Sequence, residues 1–372
     1  MRRALATVDL ESVRSNVASL IGRLSPGAGL MAVVKANGYG HGAVPVARAS
    51  LAAGAESLGV ATAAEARELR EAGISSPLIV LGPLTGADLE TALAADAEVL
   101  VWSLPFLREI VRLRHDQGGR ARVHVKLDTG MRRLGLYPRD LPRFLDELAT
   151  EPELQLAGLM THFATADEDD EDFFDYQLRA FDEAVQPALL RAADRICFHC
   201  ANSAATIRFP QSHFDLVRCG IAIYGLSPFQ TDPWTDGLKP ALRLTSYVAD
   251  VKRLTEGDTV GYGRAWTAPG NHYVAAVPIG YGDGVSRGLS NRGQVLIGGR
   301  PLPIAGRVSM DLITVDLGPA RPAVNPGDEV VLIGGQGEEF ITAEEVAAVL
   351  GTINYEITCN LSSRVERVYQ GT

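Results

Sequence analysis

The stretch Ala32-Val-Val-Lys-Ala-Asn-Gly-Tyr-Gly-His-Gly42 joins an apolar strand to a glycine-rich turn, with a lysine at the junction. Desolvation at the end of a dry strand lowers the cost of neutralising Lys35, and a neutral amine is the form that attacks a carbonyl carbon. The glycines beyond it expose backbone N–H groups that can face an anion. A lysine that only snorkels from a strand end has the same local pattern, so the rest of the chain has to decide.

Seven further apolar runs follow this first one, and segments with helical patterning separate them. The alternation is typical of repeated βα units and a parallel sheet. Eight strands are the number that closes a (β/α)8 barrel. The runs cover residues 30–34, 57–61, 78–81, 98–102, 122–127, 154–160, 196–199 and 214–217.

Beyond residue 230 the pattern changes. Thr231-Asp-Pro-Trp-Thr-Asp-Gly237 is rich in turn formers and is typical of a linker. Strand-like runs then dominate, at 245–254, 272–278, 294–297, 312–317 and 329–333, and one helix is marked by the capping box Thr342-Ala-Glu-Glu345 and by Gly351. We therefore predict an α/β fold: a TIM-like (β/α)8 barrel over residues 1–235, followed by a mainly β C-terminal domain over residues 236–372.

The composition and charge of the chain argue against some classes of function. The 372 residues are 46% hydrophobic and carry a formal net charge of −10, which suits a globular protein and argues against nucleic acid or an anionic membrane as main partner. The N-terminus lacks the apolar core of a secretory signal and no run is long enough to span a bilayer, so we predict a cytoplasmic protein. Cys197-Phe-His-Cys200 lies in a strand whose alternate side chains face opposite ways, and we interpret it as packing and expect no metal.

Side chains suited to catalysis follow the predicted strands at the end where parallel barrels hold their active sites. Each has a structural explanation when taken alone: His162 as a satisfied core histidine, Arg218 as an ion-pair partner, Ser203 as a helix cap. The helix start at Asn202 and the turn after Arg218 would also offer backbone donors to a phosphate. The positions are Lys35 after the first strand, Lys126 and Arg133 after the fifth, His162 after the sixth, Asn202 and Ser203 after the seventh, and Arg218 after the eighth.

With these residues in place, the chain resembles the bacterial alanine racemases, pyridoxal phosphate enzymes of the type III fold, over nearly its whole length. Many motifs in order are more specific than any one of them. They are residues 32–42, Val125-Lys-Leu-Asp-Thr-Gly-Met-Arg-Arg-Leu-Gly135, Thr161-His-Phe-Ala164, Ala201-Asn-Ser203, Val217-Arg-Cys-Gly-Ile-Ala-Ile-Tyr-Gly225, Gly261-Tyr-Gly263, Pro278-Ile-Gly-Tyr281, Gly306-Arg-Val-Ser-Met-Asp311 and Ile353-Asn-Tyr-Glu356.

The resemblance implies that Lys35 carries pyridoxal 5'-phosphate, with Arg218 at the pyridine nitrogen. Arg133 and the backbone of Met310 would bind the substrate carboxylate. Lys126 matches a lysine that is carbamylated in some relatives, and Ser309 stands where several relatives have a cysteine. The remaining cofactor contacts implied are Tyr39, His162, Asn202, Ser203, Gly220, Ile221 and Tyr355, and the residues implied at the substrate entry corridor are Asp167, Tyr281 and Arg287.

The resemblance also implies a homodimer whose subunits share their active sites. Tyr262 of one subunit would act with Lys35 of the other in a two-base proton transfer at Cα of a substrate held as an aldimine of the cofactor. The reaction implied is the interconversion of L-alanine and D-alanine, which supplies D-alanine for the peptidoglycan of the cell wall.

Other functions remain open at the level of sequence. A racemase of serine or lysine would use the same catalytic pair. A type III decarboxylase shares the two-domain architecture but fits the motifs around Arg133, Tyr262 and Tyr355 less well. A non-catalytic pyridoxal phosphate carrier would have only the barrel and would end near residue 230.

Overall fold

The structure is a computed structural model that describes residues 2–189 and 196–371. The chain divides into two compact units. The barrel unit comprises Arg14–Gly38 and Ala43–Ile223. The β unit comprises the residues up to Val13, the short segment Tyr39–Gly42 and the chain from Tyr224 onward.

The first strand, β1 (Leu5–Asp9), belongs to the β unit. It runs antiparallel to residues 242–245 and parallel to residues 366–370. Ala6 and Val8 are fully buried, whereas the residues between them are half-buried. This division differs at the N-terminus from the predicted range 1–235, because β1 forms its hydrogen bonds with strands more than 200 residues away.

The barrel unit contains eight parallel strands, which confirms the predicted fold class. Their residues are almost all buried, as expected for strands covered on both faces. Hydrogen bonds from Asp215 N to Phe198 O (3.0 Å) and from Arg218 N to Ala201 O (2.9 Å) join the two ends of the sheet. The strands are β2 (Gly29–Val33), β3 (Ser57–Val60), β4 (Leu78–Val80), β5 (Glu98–Val101), β6 (Ala121–Lys126), β7 (Leu154–Met160), β8 (Cys197–His199) and β9 (Leu216–Cys219), in the sheet order β8-β7-β6-β5-β4-β3-β2-β9.

Helices separate these strands, and side-chain caps mark where several begin. Thr62 and Glu65 form a reciprocal capping box at α4, and Ser103 accepts a hydrogen bond from Phe106 N at the start of α6. The helices are α1 (Leu10–Ile21), α2 (Lys35–Tyr39, interrupted by left-handed residues), α3 (Ala43–Ala52), α4 (Ala63–Glu71), α5 (Ala87–Ala94), α6 (Leu104–Gln117), α7 (Leu141–Leu148), α8 (Asp172–Leu189) and α9 (Ser203–Arg208).

The described part of the β unit forms three sheets, and two α-helices lie wholly within it, as its strand-rich sequence predicts. The seven-stranded sheet has the order β16-β15-β18-β10-β1-β20 with β19 attached to β18; β11-β14-β17 and β12-β13 form the others. The elements are β10 (Leu242–Tyr247), β11 (Asp250–Leu254), β12 (Thr259–Val260), β13 (Trp266–Thr267), β14 (His272–Val277), β15 (Gln294–Ile297), β16 (Arg300–Pro303), β17 (Ile313–Gly318), β18 (Glu329–Gln336), β19 (Glu339–Ile341), α10 (Ala343–Leu350), α11 (Asn354–Cys359) and β20 (Glu366–Gln370).

Alternate residues of these strands form the core of the β unit, as the period of two requires. The buried pairs are Leu242 and Leu244, Ala275 and Val277, Val295 and Ile297, Ile313 and Val315, and Val330 and Leu332. The predicted run 245–254 is two strands in different sheets. It divides because Val248 N bonds to Asp328 O, whereas Ala249 N bonds to Ala276 O.

The predicted capping box of α10 is present, and Gly351 ends the helix in the left-handed conformation. Over residues 2–189 and 196–371, every helix is too short or too polar to traverse a lipid bilayer.

Candidate active site

Lys35 lies two residues after the end of β2 and is half-buried, and the backbone after it is left-handed. The φ and ψ angles are 53° and 50° at Ala36, 53° and 49° at Asn37, and 60° and 47° at Gly38. This conformation costs an L-residue about 1–2 kcal/mol. The turn therefore has to be stabilised by its surroundings.

Glu65 holds the start of this turn. Its Oε1 accepts a hydrogen bond from Ala36 N at 2.7 Å, while its Oε2 accepts from Ala61 N at 2.7 Å and from Thr62 N at 3.1 Å. One carboxylate thus caps α4 and holds the peptide next to Lys35. Glu65 is absent from the site predicted from sequence, although Thr62 and Glu65 have the Thr-x-x-Glu spacing of a capping box.

Lys126 ends β6 and is only 5% exposed. Burial is the main cause that lowers its pKa to about 8. The positive charges of Arg218, Arg133 and Lys35 lower the pKa further, and Asp128 opposes them. A substantial fraction of Lys126 is therefore neutral in mildly alkaline solution.

His162 lies among the same cations. Desolvation lowers its pKa well below the usual value, and every charge that acts on it is positive: those of Arg218, Lys126, Arg133 and Lys35. The imidazole is therefore neutral at physiological pH, and the strand ends form a region of excess positive charge. Five of the sequence-predicted site residues meet here.

Arg218, in β9, is 4% exposed and is held by four residues. Its Nη1 donates to His199 O (2.8 Å) and contacts His199 Nδ1 (3.2 Å). Its Nη2 donates to Thr161 O (2.8 Å) and Cys200 O (3.0 Å), and contacts His162 Nδ1 (3.2 Å). Burial lowers the pKa of Arg218 to about 10, so the side chain stays protonated at neutral pH. Within the part of the chain that the structure describes, these bonds use both Nη atoms and leave Nε–H for a ligand.

Ser203 and the turn after β9 form a second polar group. Ser203 Oγ accepts hydrogen bonds from Gly220 N (3.0 Å) and Ala222 N (3.4 Å). A hydroxyl oxygen that accepts twice still has its hydrogen to donate. Asn202 caps α9 instead of Ser203, because its Oδ1 accepts from Ala205 N at 3.0 Å. Ile221 follows as a buried residue at the start of a 3-10 turn.

In the β unit, Tyr39 packs between two other aromatic rings. Its ring centroid lies 5.0 Å from that of Tyr224 and 6.1 Å from that of Tyr355. Tyr39 is 7% exposed and Tyr355 is half-buried. Two of the predicted cofactor contacts, Tyr39 and Tyr355, are therefore neighbours.

Two loops of the β unit bring Tyr281 and Met310 together. Tyr281 N donates to Ser309 O at 3.0 Å, and Gly282 N donates to Met310 O at 2.9 Å. The side chains of Tyr281 and Met310 are 44% and 51% exposed.

Tyr262 is the most exposed of the large hydrophobic side chains that the structure describes, at 73%. It begins a 3-10 turn and lies between Gly261 and Gly263, whose φ angles of 66° and 68° favour glycine. Asp167 and Arg287 are likewise exposed at the surface of their respective units.

The barrel-unit cluster combines a lysine after a buried strand, a second lysine that is readily neutralised, a neutral imidazole and a buried guanidinium. Such a set attracts an anionic ligand and can hold a carbonyl compound on an amine. Among residues 2–189 and 196–371, no three His, Cys, Asp or Glu side chains lie together as metal ligands. Three side chains behind Arg218, namely His199, His124 and Glu98, played no part in the predicted site.

Both parts of the chain match known protein families. Residues 8–228 match the family model "Alanine racemase, N-terminal domain", and residues 241–369 match "Alanine racemase, C-terminal domain". The alanine racemase of Symbiobacterium thermophilum is 44% identical over 371 residues, which cover 100% of this chain and 98% of that protein. The crystal structure of alanine racemase from Streptomyces lavendulae, a producer of D-cycloserine, is 40% identical with a TM-score of 0.95, and the match covers 100% and 98% of the two chains. That of Bacillus anthracis, with bound L-Ala-P, is 40% identical with a TM-score of 0.92, covering 100% and 95%.

Proposed function

The chain belongs to the alanine racemase family of isomerases, and on that premise we propose that it interconverts L-alanine and D-alanine by two-base proton transfer at Cα. The observation that carries the proposal is the group of Lys35, Lys126, Arg133 and Arg218 around the neutral His162. Excess positive charge of this kind suits a phosphorylated cofactor and an amino-acid carboxylate.

We infer that the cofactor is pyridoxal 5'-phosphate. When bound, it supplies an aldehyde that joins to amines and a conjugated ring that withdraws electrons from Cα. The residues present fit this group: Lys35 supplies an amine at a strand end, the cation cluster offsets the negative charge, and Ser203 has a hydroxyl hydrogen to donate. The residues proposed around the phosphate and ring are Tyr39, His162, Asn202, Ser203, Arg218, Gly220, Ile221 and Tyr355.

Arg218 limits the chemistry of the site. We propose that its Nε–H would face the pyridine nitrogen of the bound cofactor. Because an arginine with a pKa of about 10 keeps its proton at neutral pH, it cannot convert that nitrogen into a cation. The electron withdrawal is then modest, which favours prompt return of the proton to Cα over side reactions such as transamination.

Two groups move the proton in this proposal. Arg133 and the backbone of Met310 hold the substrate carboxylate, so that Cα presents one face to Lys35 and the other to Tyr262. Tyr262 removes the proton of the L-isomer and Lys35 that of the D-isomer. A tyrosine has an ordinary pKa of about 10, so it needs nearby cations to act as a base near neutrality.

We propose that Tyr262 reaches the active site of a second subunit. Its 73% exposure and its position between two glycines suit a side chain presented to a partner. The chain would then act as a homodimer with shared sites. In this arrangement Asp167, Tyr281 and Arg287 border the route by which substrate enters.

We expect Lys126 to carry a carbamate. Carbon dioxide reacts with neutral amines, and at pH 8 about half of Lys126 is neutral, against less than about 1% of an ordinary lysine. With 13C-bicarbonate at pH 8, the protein should show a carbamate 13C resonance that Lys126→Met lacks. The exposed Lys252→Met is the control and should keep the resonance. A signal that persists in Lys126→Met would assign the modification elsewhere.

The function is tested by proton NMR of L-alanine with the protein and pyridoxal phosphate in heavy water, followed by chiral analysis. The α-proton signal should disappear while D- and L-alanine approach equal amounts. Serine and lysine, run in parallel, measure the substrate range. Absence of exchange would overturn the proposal, and release of carbon dioxide from basic amino acids would favour a decarboxylase. A carrier protein would exchange nothing, but the matched domain at residues 241–369 is not expected in one that has only the barrel.

A further inference from the structure

A line of hydrogen-bonded side chains runs through the barrel unit to Arg218. Glu98 Oε2 lies 2.5 Å from His124 Nε2, and His124 Nδ1 lies 2.9 Å from His199 Nε2. His199 Nδ1 then lies 3.2 Å from Arg218 Nη1. Glu98 is the first residue of β5, so the line begins at the end of the barrel opposite to the strand ends that hold the proposed site.

The chemistry of the two ends fixes the direction of every hydrogen bond. A carboxylate only accepts and a guanidinium only donates. His124 must therefore carry its proton on Nε2, facing Glu98, and its Nδ1 must accept from His199 Nε2–H. His199 Nδ1 is left as the acceptor for Arg218. One arrangement of protons satisfies the whole line.

The surrounding fold makes room for this line. A side-chain carbon at Gly158 would lie 2.3 Å from His124 Nδ1, which is closer than real contacts allow. The register between β6 and β7 shifts at His124, and the irregularity sets Gly158 opposite it. A glycine and a strand irregularity thus coincide at the point where the two histidines meet.

Because the two histidines are buried, a hydrogen bond in the wrong direction would cost stability. His124 and His199 are 2% and 0% exposed, and an unpaired polar atom at such a site costs roughly 1–3 kcal/mol. Burial alone would raise the pKa of Glu98, but the hydrogen bond from His124 and the charge of Arg122, whose Nε lies 2.9 Å from Glu98 Oε1, lower it overall. Burial lowers the pKa of His199 well below the usual value. Glu98 is therefore an anion and His199 is neutral at neutral pH.

We propose that Glu98 and His124 are positioning residues of the active site, which act through His199 to fix the orientation of the Arg218 guanidinium and the direction of its hydrogen bonds. The consequence for catalysis rests on the proposed function, in which Arg218 contacts the cofactor. A carboxylate that holds an imidazole in one tautomer is a known means of controlling a catalytic group. Here the control passes through two imidazoles and reaches a guanidinium.

Loss of the carboxylate charge should disturb the whole line. In Glu98→Gln the amide oxygen stays with Arg122 Nε, which lies 2.9 Å from Glu98 Oε1, so the NH2 group faces His124 Nε2 and the His124 proton moves to Nδ1. His199 must then move its own proton to Nδ1, where it opposes the Nη1–H of Arg218. The guanidinium then has to shift away from His199 Nδ1. A misplacement of up to about 1 Å near a reacting group reduces rates by about 10- to 100-fold.

The first test is independent of activity. The 372-residue protein, with its seven histidines labelled with 13C and 15N, is studied by NMR, and His124→Gln and His199→Gln assign the two rings. Both rings should be neutral with the proton on Nε2. A proton on Nδ1 of either ring, or a cationic His199, would overturn the proposal.

The second test uses a matched pair of variants. Glu98→Gln removes the buried Glu–His pair, and Glu153→Gln removes a surface one, whose Oε1 lies 3.6 Å from His115 Nδ1. Glu98→Gln should change the tautomers, shift the visible absorption band of the pyridoxal phosphate-loaded protein and lower kcat for alanine by about 10- to 100-fold. Glu153→Gln should change none of them. Unchanged kcat and absorption in Glu98→Gln would sink the positioning role.

Two further results separate the possible failures. If the wild-type protein does not racemise alanine, the proposed function fails, while the NMR result still decides the direction of the line. If Glu98→Gln does not fold by circular dichroism, Glu98→Asp replaces it. In that variant the carboxylate lies one methylene short of His124 Nε2, so the hydrogen bond that fixes the tautomer is lost, and kcat and the absorption band should change in the same direction.

Discussion

Replacing Lys35 with alanine is expected to lower racemisation of both alanine isomers by at least about 10⁴-fold, because the variant loses one of the two bases and the amine that holds the cofactor. The absorption band of the bound cofactor should change at the same time. Chiral chromatography of the product and a visible spectrum of the protein measure the two effects.

A matched control and an added amine make this result specific. Lys252 is exposed and lies 3.7 Å from Asp250, so Lys252→Ala removes a lysine without touching the cation cluster and should behave as wild type. Methylamine should partly restore exchange of the α-proton in Lys35→Ala by replacing the missing base. Wild-type racemisation by Lys35→Ala would remove Lys35 from the mechanism.

Tyr262→Phe is expected to lower racemisation by about 10²- to 10⁴-fold, the usual contribution of a general acid or base. The loss of α-proton exchange should affect L-alanine much more than D-alanine. In heavy water, Lys35 can still exchange the α-proton of D-alanine with retention of configuration, whereas exchange of L-alanine should nearly stop. Tyr176→Phe, at a tyrosine that is 52% exposed and stacks on Phe173, is the control. Equal loss of exchange from both isomers would contradict the assignment of Tyr262 to one face.

Mixing the two inactive variants tests the shared site. If Tyr262 of one subunit serves Lys35 of the other, then random pairing of Lys35→Ala with Tyr262→Phe gives half mixed dimers, each with one intact site. Activity should then return to about one quarter of wild type. If both residues act within one chain, every site carries one lesion and mixing restores nothing.

Much of this fold can be predicted from the sequence, because residues close together in the chain determine where its strands and helices begin and end. The barrel strands are apolar runs with turn formers on either side, and the predicted run 30–34 differs from the observed Gly29–Val33 by a single residue at each end. The α10 helix is marked at both ends by Thr342 and Gly351. Position along a βα unit also indicates which side chains meet, so the grouping of Lys35, Lys126 and Arg218 followed from topology.

What the sequence did not reveal depends on distant partners. The sheet that β1 joins is set by strands near residues 242 and 366, which no local pattern specifies. The hydrogen bonds of Glu98 and His124 also depend on distant partners. In the sequence, Glu98 is only a carboxylate at the start of a strand, and His124 is only a histidine in an apolar run. Gly158 lies opposite His124 and leaves room for its ring beside His199, and that pairing exists only in the folded sheet.

The left-handed turn at Ala36 and Asn37 has a consequence for anyone who selects this enzyme for heat resistance. Glycine in place of Ala36 would relieve about 1–2 kcal/mol of backbone strain, of which the freer unfolded chain takes back about 0.4–1 kcal/mol. The net gain in thermostability is small, and it comes from loosening the peptide beside the reactive lysine. A screen for survival at high temperature could therefore enrich such glycines while turnover declines, and a screen that also measures turnover would retain the strained residues.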